Sequence, residues 1–374
     1  MHISDAFHSG NITVIDASDP SDVRLEIRND AGDEHLQWFH FRVSGARGVP
    51  LTLRIVNAGK TSYPEGWEDY RAAASHDRQA WRRVDTTYTD GVLTISLTPE
   101  TDAVELAYFA PYSHEQHLDL IARCARSPRC RHEVLGRTLD GADMDLLVVG
   151  EPAPHKKVLW VIARQHPGET MAEWWMEGFL ARVLDPADPL ARRLLERSVL
   201  YVVPNMNPDG SRRGHLRVNA CGANLNREWH APTLERSPEV KLVRDRMDET
   251  GVDFCLDVHG DEALPYNFIS GAEGVPSWTA RLAALQQRFE VHYERANPDF
   301  QRVHGYPVDE PGKANMTMCT SQVAERYSCL AMTLEQPFKD NADAPDLAWG
   351  WSPERCRKLG ASVLHPILEV LAEL

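Results

Sequence analysis

The sequence predicts two domains, an antiparallel β-sandwich over residues 1–120 followed by an α/β domain over 121–374. Three observations predict this. Short alternating or β-branched runs, separated by Gly, Asp, Asn and Pro, fill the first part. Beyond it, strand-like runs alternate with helical ones, the pattern of a sheet covered on both faces. The 374 residues are enough for two ordinary domains with cores of their own.

Taken in order, "ITVIDAS", "VRLEIRND", "LQWFHFRVSG", "PLTLRIVNAG", "GVLTISLTP" and "VELAYFAPY" read as strands, spaced for part of the way as in a sandwich. Nothing in this part gathers catalytic residue types. "SHEQHLDLIARCARS" then reads as a helix, and "DMDLLVVGE" and "KVLWVIARQ" as strands. "TMAEWWMEGFLARVLD" has apolar residues three and four apart and is a helix. "SVLYVVPNM", "VDFCLDVHG" and "CLAMTLEQP" are strands, separated by helices at "SPEVKLVRDRMDETG" and "PSWTARLAALQQRFE". "SPERCRKLGASVLHPILEVLAEL" reads as one long closing helix.

Composition narrows the class. With 43% hydrophobic and 25% charged residues the chain is of the folded globular type. A net charge of −15 disfavours a nucleic-acid partner. No apolar run reaches the length of a membrane span. The start, "MHISDAFHSGNITVID", lacks the basic and apolar segments of a secretory signal. The seven cysteines are scattered and odd in number, so free thiols in a reducing cytoplasm are expected.

Three strand ends carry the chemistry. "WVIARQHPGE" ends in His166 and Glu169, "FCLDVHG" in His259 and "AMTLEQP" in Glu335. Ligands of open α/β sheets bind outside the carboxyl ends of the strands, so these four residues are expected to meet at one edge. Pro167 and Gly168 turn the chain off its strand, letting His166 and Glu169 face one point. Two imidazoles and a carboxylate are a ligand set for one Zn²⁺ per chain, with the fourth position left to water. Zinc brings the pKa of such a water to about 7, and Glu335 is placed to take its proton. Each pattern alone also fits an ordinary surface residue; their joint placement gives the reading its weight.

A basic loop adds to it. "VVPNMNPDGSRRGHLRVNACGANLNREW" leaves a strand through a turn and carries Arg212, Arg213, Arg217, Asn226 and Arg227. In an acidic protein this loop reads as a clamp for a carboxylate, with a second arginine to hold an oxyanion.

"HPGE", "PNMNPDG", "NLNREW", "DVHG" and "TLEQP", in this order, resemble the zinc carboxypeptidases of the pancreatic fold. More narrowly, with "LQWFHFRVSGARGVPLTLRIVN", "WRRV" and "ELAYFAPYSHEQHLDLI" in the first domain, the chain resembles the cytosolic carboxypeptidase subfamily. The resemblance implies an eight-stranded mixed sheet between helices. It implies His166, Glu169 and His259 as zinc ligands, Asn226 and Arg227 on the terminal carboxylate of substrate, Arg217 on the scissile carbonyl and Glu335 as general base and acid. The substrate implied is the C-terminal tail of a peptide or protein, hydrolysed by attack of zinc-bound water. Members of the subfamily favour acidic C-terminal residues, for which Lys313 and Arg326 are the available bases.

Two departures stand out. The subfamily has an Asp two residues before the Asn-Arg pair, where it orients the first zinc histidine; here that residue is Asn224. The tyrosine that closes over substrate has Tyr306 as its counterpart. Two other readings remain: an N-acyl amino-acid hydrolase on the same fold, and a non-catalytic binder of carboxylate tails. A sheet edge could also assemble a homo-oligomer.

Overall fold

The computed structural model describes residues 1–374. Alternation in the first hundred residues becomes two five-stranded sheets. One runs in the order His2–Ser4, His40–Ser44, Ala103–Ala107, Ala73–Ser75, Arg82–Arg83. The other runs Thr13–Asp16, Val23–Glu26, Leu51–Ile55, Val92–Leu97, Asp85–Thr89. Along Leu51–Ile55, Leu51, Leu53 and Ile55 are buried while Thr52 and Arg54 are half-exposed, the period of two that the pleat imposes.

The expected all-antiparallel arrangement is corrected at one place. Val23–Glu26 and Leu51–Ile55 pair in parallel. Between them the chain passes through His40–Ser44 in the other sheet, and such a crossover lets a strand return in its original direction.

The third sheet has seven strands rather than the implied eight, in the order Cys130–Arg137, Asp143–Val149, Ser198–Val203, Lys157–Ala163, Phe254–Val258, Leu330–Glu335, Phe268–Ser270. The four from Ser198–Val203 to Leu330–Glu335 are parallel, and the flanking strands are antiparallel. Cys130–Arg137 and Phe268–Ser270 escape the sequence reading because they are edge strands. The first is largely solvated and the second spans only three residues.

Successive residues of the central strands enter opposite cores. Leu159, Val161, Leu200, Val202, Leu256 and Val258 face the helices Met171–Val183, Ala280–Ala296 and Pro353–Ser362. Trp160, Ile162, Val199, Tyr201 and Cys255 face Pro238–Thr250 and Cys319–Tyr327. The first of these cores continues without interruption into the N-terminal sheets, through Phe39, Tyr108 and Phe109. At the junction Tyr108 stacks on Phe338 with ring centroids 4.3 Å apart, and Trp174 Nε1 donates to the Ala110 carbonyl at 3.0 Å.

The helix after the junction, His114–Ala125, starts in a capping box in which Ser113 and Gln116 satisfy each other's backbone N–H groups. The closing segment is two helices, Pro353–Ser362 and Leu364–Val370, instead of one. Pro366 supplies the reason, since its ring clashes with the carbonyl four residues back, where the first helix ends. No helix is long and apolar enough to cross a membrane. All seven cysteines are free thiols, five of them buried.

Candidate active site

The parallel strands point their carboxyl ends at one edge of the sheet, and the loops leaving them converge there. The strand Lys157–Ala163 gives way to Arg164, whose φ of 59° turns the backbone out of the sheet. Arg164 is buried; its Nε donates to the Pro167 carbonyl at 2.9 Å, which pins the turn. Gly168 donates its N–H to the Leu216 carbonyl at 2.9 Å, and a Cβ there would meet that oxygen at 3.0 Å. This close approach is why glycine stands there.

His166 and Glu169 therefore face the same point. His166 Nδ1 lies 2.6 Å from Glu169 Oε1, and His259 Nδ1 lies 2.8 Å from Glu169 Oε2. All three residues are buried, and their ligand-capable atoms lie within 4.8 Å of one another. The outer ring nitrogens are anchored: His166 Nε2 is 3.1 Å from Asn224 Oδ1, and His259 Nε2 is 2.9 Å from Asp257 Oδ2. With the outer nitrogens engaged, both rings turn Nδ1 inward. This donor set of two imidazoles and a carboxylate, with oriented outer nitrogens, fits a zinc ion.

The electrostatics agree. Burial and the nearby Arg217 push His166 down to about 3, so the ring is neutral and free to ligate. Burial opposes charge on Glu169, but the two imidazoles outweigh it and keep the group a carboxylate. Asn224 supplies an oxygen to His166 without a charge. Asn224→Asp is accordingly expected to tighten zinc binding by about tenfold or more, measured by competition with a chromophoric chelator.

Glu335 ends its strand one step beyond the Val258↔Leu334 pair, which places it beside His259. It is buried and its Oε2 has no hydrogen-bond partner. Burial, together with Glu169, Asp261 and Glu262, raises its carboxyl well above the ordinary range against the pull of His259. A raised proton affinity suits a group that takes up a proton and hands it on.

Arg217 reaches the same space. Its guanidinium lies over the Tyr63 ring, 5.6 Å from the centroid, and has no hydrogen bond or ion pair within the protein. Burial disfavours its charge, but Tyr63, Glu262, Glu169 and Glu335 hold it above the usual arginine value. Arg227 donates only to the Asn226 carbonyl, at 2.7 Å. Burial and then Arg217 lower it. Two neighbouring guanidiniums without a carboxylate partner form a place for an anion. Asn226 is buried; its Oδ1 accepts the Cys319 N–H at 2.8 Å, which leaves its amide nitrogen without a bond inside the protein.

The remaining candidates divide. Tyr306 donates its hydroxyl to Asp261 Oδ2 at 2.5 Å and packs edge-on to Phe268, so it sits over the carboxylate cluster. Lys313 is exposed on the same loop. Arg326 is committed elsewhere, to Asp248 through Nε at 2.7 Å and Nη2 at 2.8 Å.

Several residues were missed by the sequence reading. Glu262 is buried near Arg217; burial, with Glu169 and Asp261, pushes it up to about 8 against Arg217. Glu173 lies fully buried in the first turn of the helix Met171–Val183, among Met171, Ala172, Trp174 and Trp175, and an acid inside that apolar run was the available signal. It binds Arg164 Nη1 at 2.6 Å and His117 Nδ1 at 2.6 Å, and His117 Nε2 meets Asp145 at 3.1 Å. Asp30 and Tyr63 come from the first domain, where no local pattern marks them.

The His117 network gives a pH signature. Burial alone would lower this histidine, but Glu173 and Asp145 raise it to about 9. A raised folded value means the stabilisation is complete below the unfolded pKa near 6.5 and is lost as pH rises through about 9. The Tm is expected to fall across that window, and His117→Gln to flatten the fall. A profile unchanged by the substitution counts against this assignment.

Known proteins can be set against this geometry. The cytosolic carboxypeptidase N-terminal domain matches residues 3–109 and the zinc carboxypeptidase domain matches residues 115–289. The crystal structure of a metallo-carboxypeptidase from Burkholderia cenocepacia is 44% identical and superimposes with a TM-score of 0.97, covering 100% of both chains. That of a metallo-carboxypeptidase from Pseudomonas aeruginosa, in complex with (2-guanidinoethylmercapto)succinic acid, is 46% identical with a TM-score of 0.98, again over 100% of both. Cytosolic carboxypeptidase 2 of Xenopus tropicalis is 31% identical over 340 residues, which are 80% of this chain; the match spans 34% of the frog protein's length.

Proposed function

The chain belongs to the zinc carboxypeptidases, with the N-terminal domain of the cytosolic carboxypeptidases ahead of the catalytic one, and from that premise we propose that it hydrolyses the C-terminal peptide bond of peptides or protein tails. The observation that carries the reading is one convergence: three buried ligand-capable side chains, an unpartnered carboxyl and two unpaired guanidiniums at a single sheet edge.

His166, Glu169 and His259 would hold one zinc ion, through Nδ1 of each ring and the carboxylate. When bound, the ion supplies Lewis acidity to the scissile carbonyl and makes the attacking water more acidic. Arg227, with the amide of Asn226, takes the free terminal carboxylate and so counts one residue from the chain end. The succinic acid moiety bound by the Pseudomonas relative has carboxylates of the kind this pair would accept. Arg217 takes up negative charge as it develops on the carbonyl oxygen. Glu335 accepts a proton from the attacking water and passes it to the leaving amine. Tyr306 covers the substrate from the loop above. Acidic C-terminal residues are the preferred leaving groups, with Lys313 the exposed cation at hand to meet them.

We read the two N-terminal sheets as the layers of a sandwich, with the domain boundary near residue 120, and place the protein in the cytoplasm. The test is a C-terminal peptide library presented to protein of known zinc content, read by mass spectrometry. Single C-terminal residues should be released, Glu and Asp first, and amidated peptides should resist. Turnover of N-acyl amino acids with the peptides left intact would instead establish a deacylase.

A further inference from the structure

We propose that the N-terminal domain is part of the catalytic apparatus, and that Asp30 is the residue that positions Arg217; the inference rests on the reading of Arg217 as the group that stabilises the developing oxyanion. Asp30 is 2% exposed, and its carboxylate accepts three consecutive backbone N–H groups: Leu216 at 2.6 Å, Arg217 at 2.7 Å and Val218 at 3.1 Å. Three successive amides turned onto one carboxylate fix the local backbone, and with it the direction in which the Arg217 side chain leaves.

The rest of the loop is fastened to the same domain. The Ser9 N–H donates to the Arg212 carbonyl at 2.8 Å, Asn11 Nδ2 to the Gly214 carbonyl at 3.0 Å, and the Ala31 N–H to His215 Nε2 at 3.0 Å. From its own domain, Leu216 takes the Gly168 N–H of the metal-binding turn. Asp30 thus acts where the metal-binding turn and the arginine loop join.

The far end of Arg217 is set by the first domain too. Tyr63 lies under its guanidinium, and the Tyr63 hydroxyl makes no hydrogen bond within the protein. Backbone and side-chain ends of this arginine are therefore both defined by residues outside the catalytic domain. The two domains share one apolar core, so they meet as one body and not across a mobile hinge. A group that must meet an oxyanion has to be held within roughly 0.5 Å, and a misplacement of about 1 Å can cost on the order of 100-fold.

The experiment compares Asp30→Asn, Asp30→Glu, Arg217→Ala and the double variant Asp30→Asn with Arg217→Ala. All are made in the full chain, loaded with zinc and assayed on a blocked dipeptide with a free C-terminal carboxylate. Asn places an NH₂ group against N–H donors, while Glu keeps the charge. Asp30→Asn is expected to lower kcat by about 10–100-fold with KM within about threefold, and Asp30→Glu to lose less. The double variant should be no slower than Arg217→Ala, because a positioning residue has nothing left to position. The proposal is overturned by wild-type kcat in Asp30→Asn, by losses that multiply in the double variant, or by losses that track a fall in folded protein in both Asp30 variants. Wild-type kcat in Arg217→Ala would overturn instead the reading of Arg217 itself, and the proposal with it.

Discussion

Replacing Glu335 by Gln should lower kcat by about 10²–10⁴-fold, the range for loss of a positioned general acid and base. The argument comes from its surroundings. The carboxyl is buried, Oε2 has no partner, and burial with three further acids raises its proton affinity. Gln is nearly isosteric and breaks no existing bond at that atom. Zinc content and the binding of product-like dicarboxylates should therefore be unchanged. The Tm should hold or rise, since a buried unpaired acid is exchanged for a neutral amide and active sites commonly cost stability. A protein that merely binds carboxylate tails would lose nothing in this variant. An unaltered kcat would falsify the assignment of Glu335 and return that reading to the front.

The second large effect lies at Glu169. Its two oxygens serve both histidines, and Oε2 also accepts the Gly260 N–H at 3.1 Å. Glu169→Gln supplies one acceptor in place of two and points an NH₂ group at an imidazole nitrogen. We expect substoichiometric zinc after dialysis, no measurable hydrolysis, and no recovery at zinc concentrations that restore chelator-stripped wild type. Ligand binding to the folded state alone stabilises by about 4 kcal/mol at a thousandfold excess over Kd. Added zinc should therefore raise the Tm of stripped wild type and leave that of Glu169→Gln in place. A zinc-dependent Tm in the variant would show that the ion binds elsewhere.

Much of this site was legible because its parts stand at strand ends. His166, Glu169, His259 and Glu335 each follow a strongly apolar run, and the rule that ligands lie at the carboxyl edge brings such residues together without coordinates. The turn between His166 and Glu169 was legible for the same local reason, in Pro167 and Gly168. Arg326 shows the limit. Its sequence context leaves it free to bind an acidic substrate, yet in the fold it is paired with Asp248 on a helix 78 residues away in sequence. The eighth strand implied by resemblance and the antiparallel rule broken at Leu51–Ile55 were likewise set by pairing, outside any local window, whereas the break in the closing helix follows from Pro366, a mark the sequence does carry.

The order of elements, the alternation that buries one face of each strand, and the strand-end residues able to ligate a metal were determined by the sequence alone. These depend on side-chain periodicity and turn chemistry over a few residues, and such forces act locally. Only the tertiary structure decided that Asp30 holds the Arg217 backbone from 187 residues away, that Tyr63 lies under its guanidinium, and that Glu173 braces the turn between His166 and Glu169 through Arg164. Each contact engages a buried charged side chain, and the first two cross between the domains. A buried charge takes whichever partner the packed core delivers, and local sequence carries no mark of that choice.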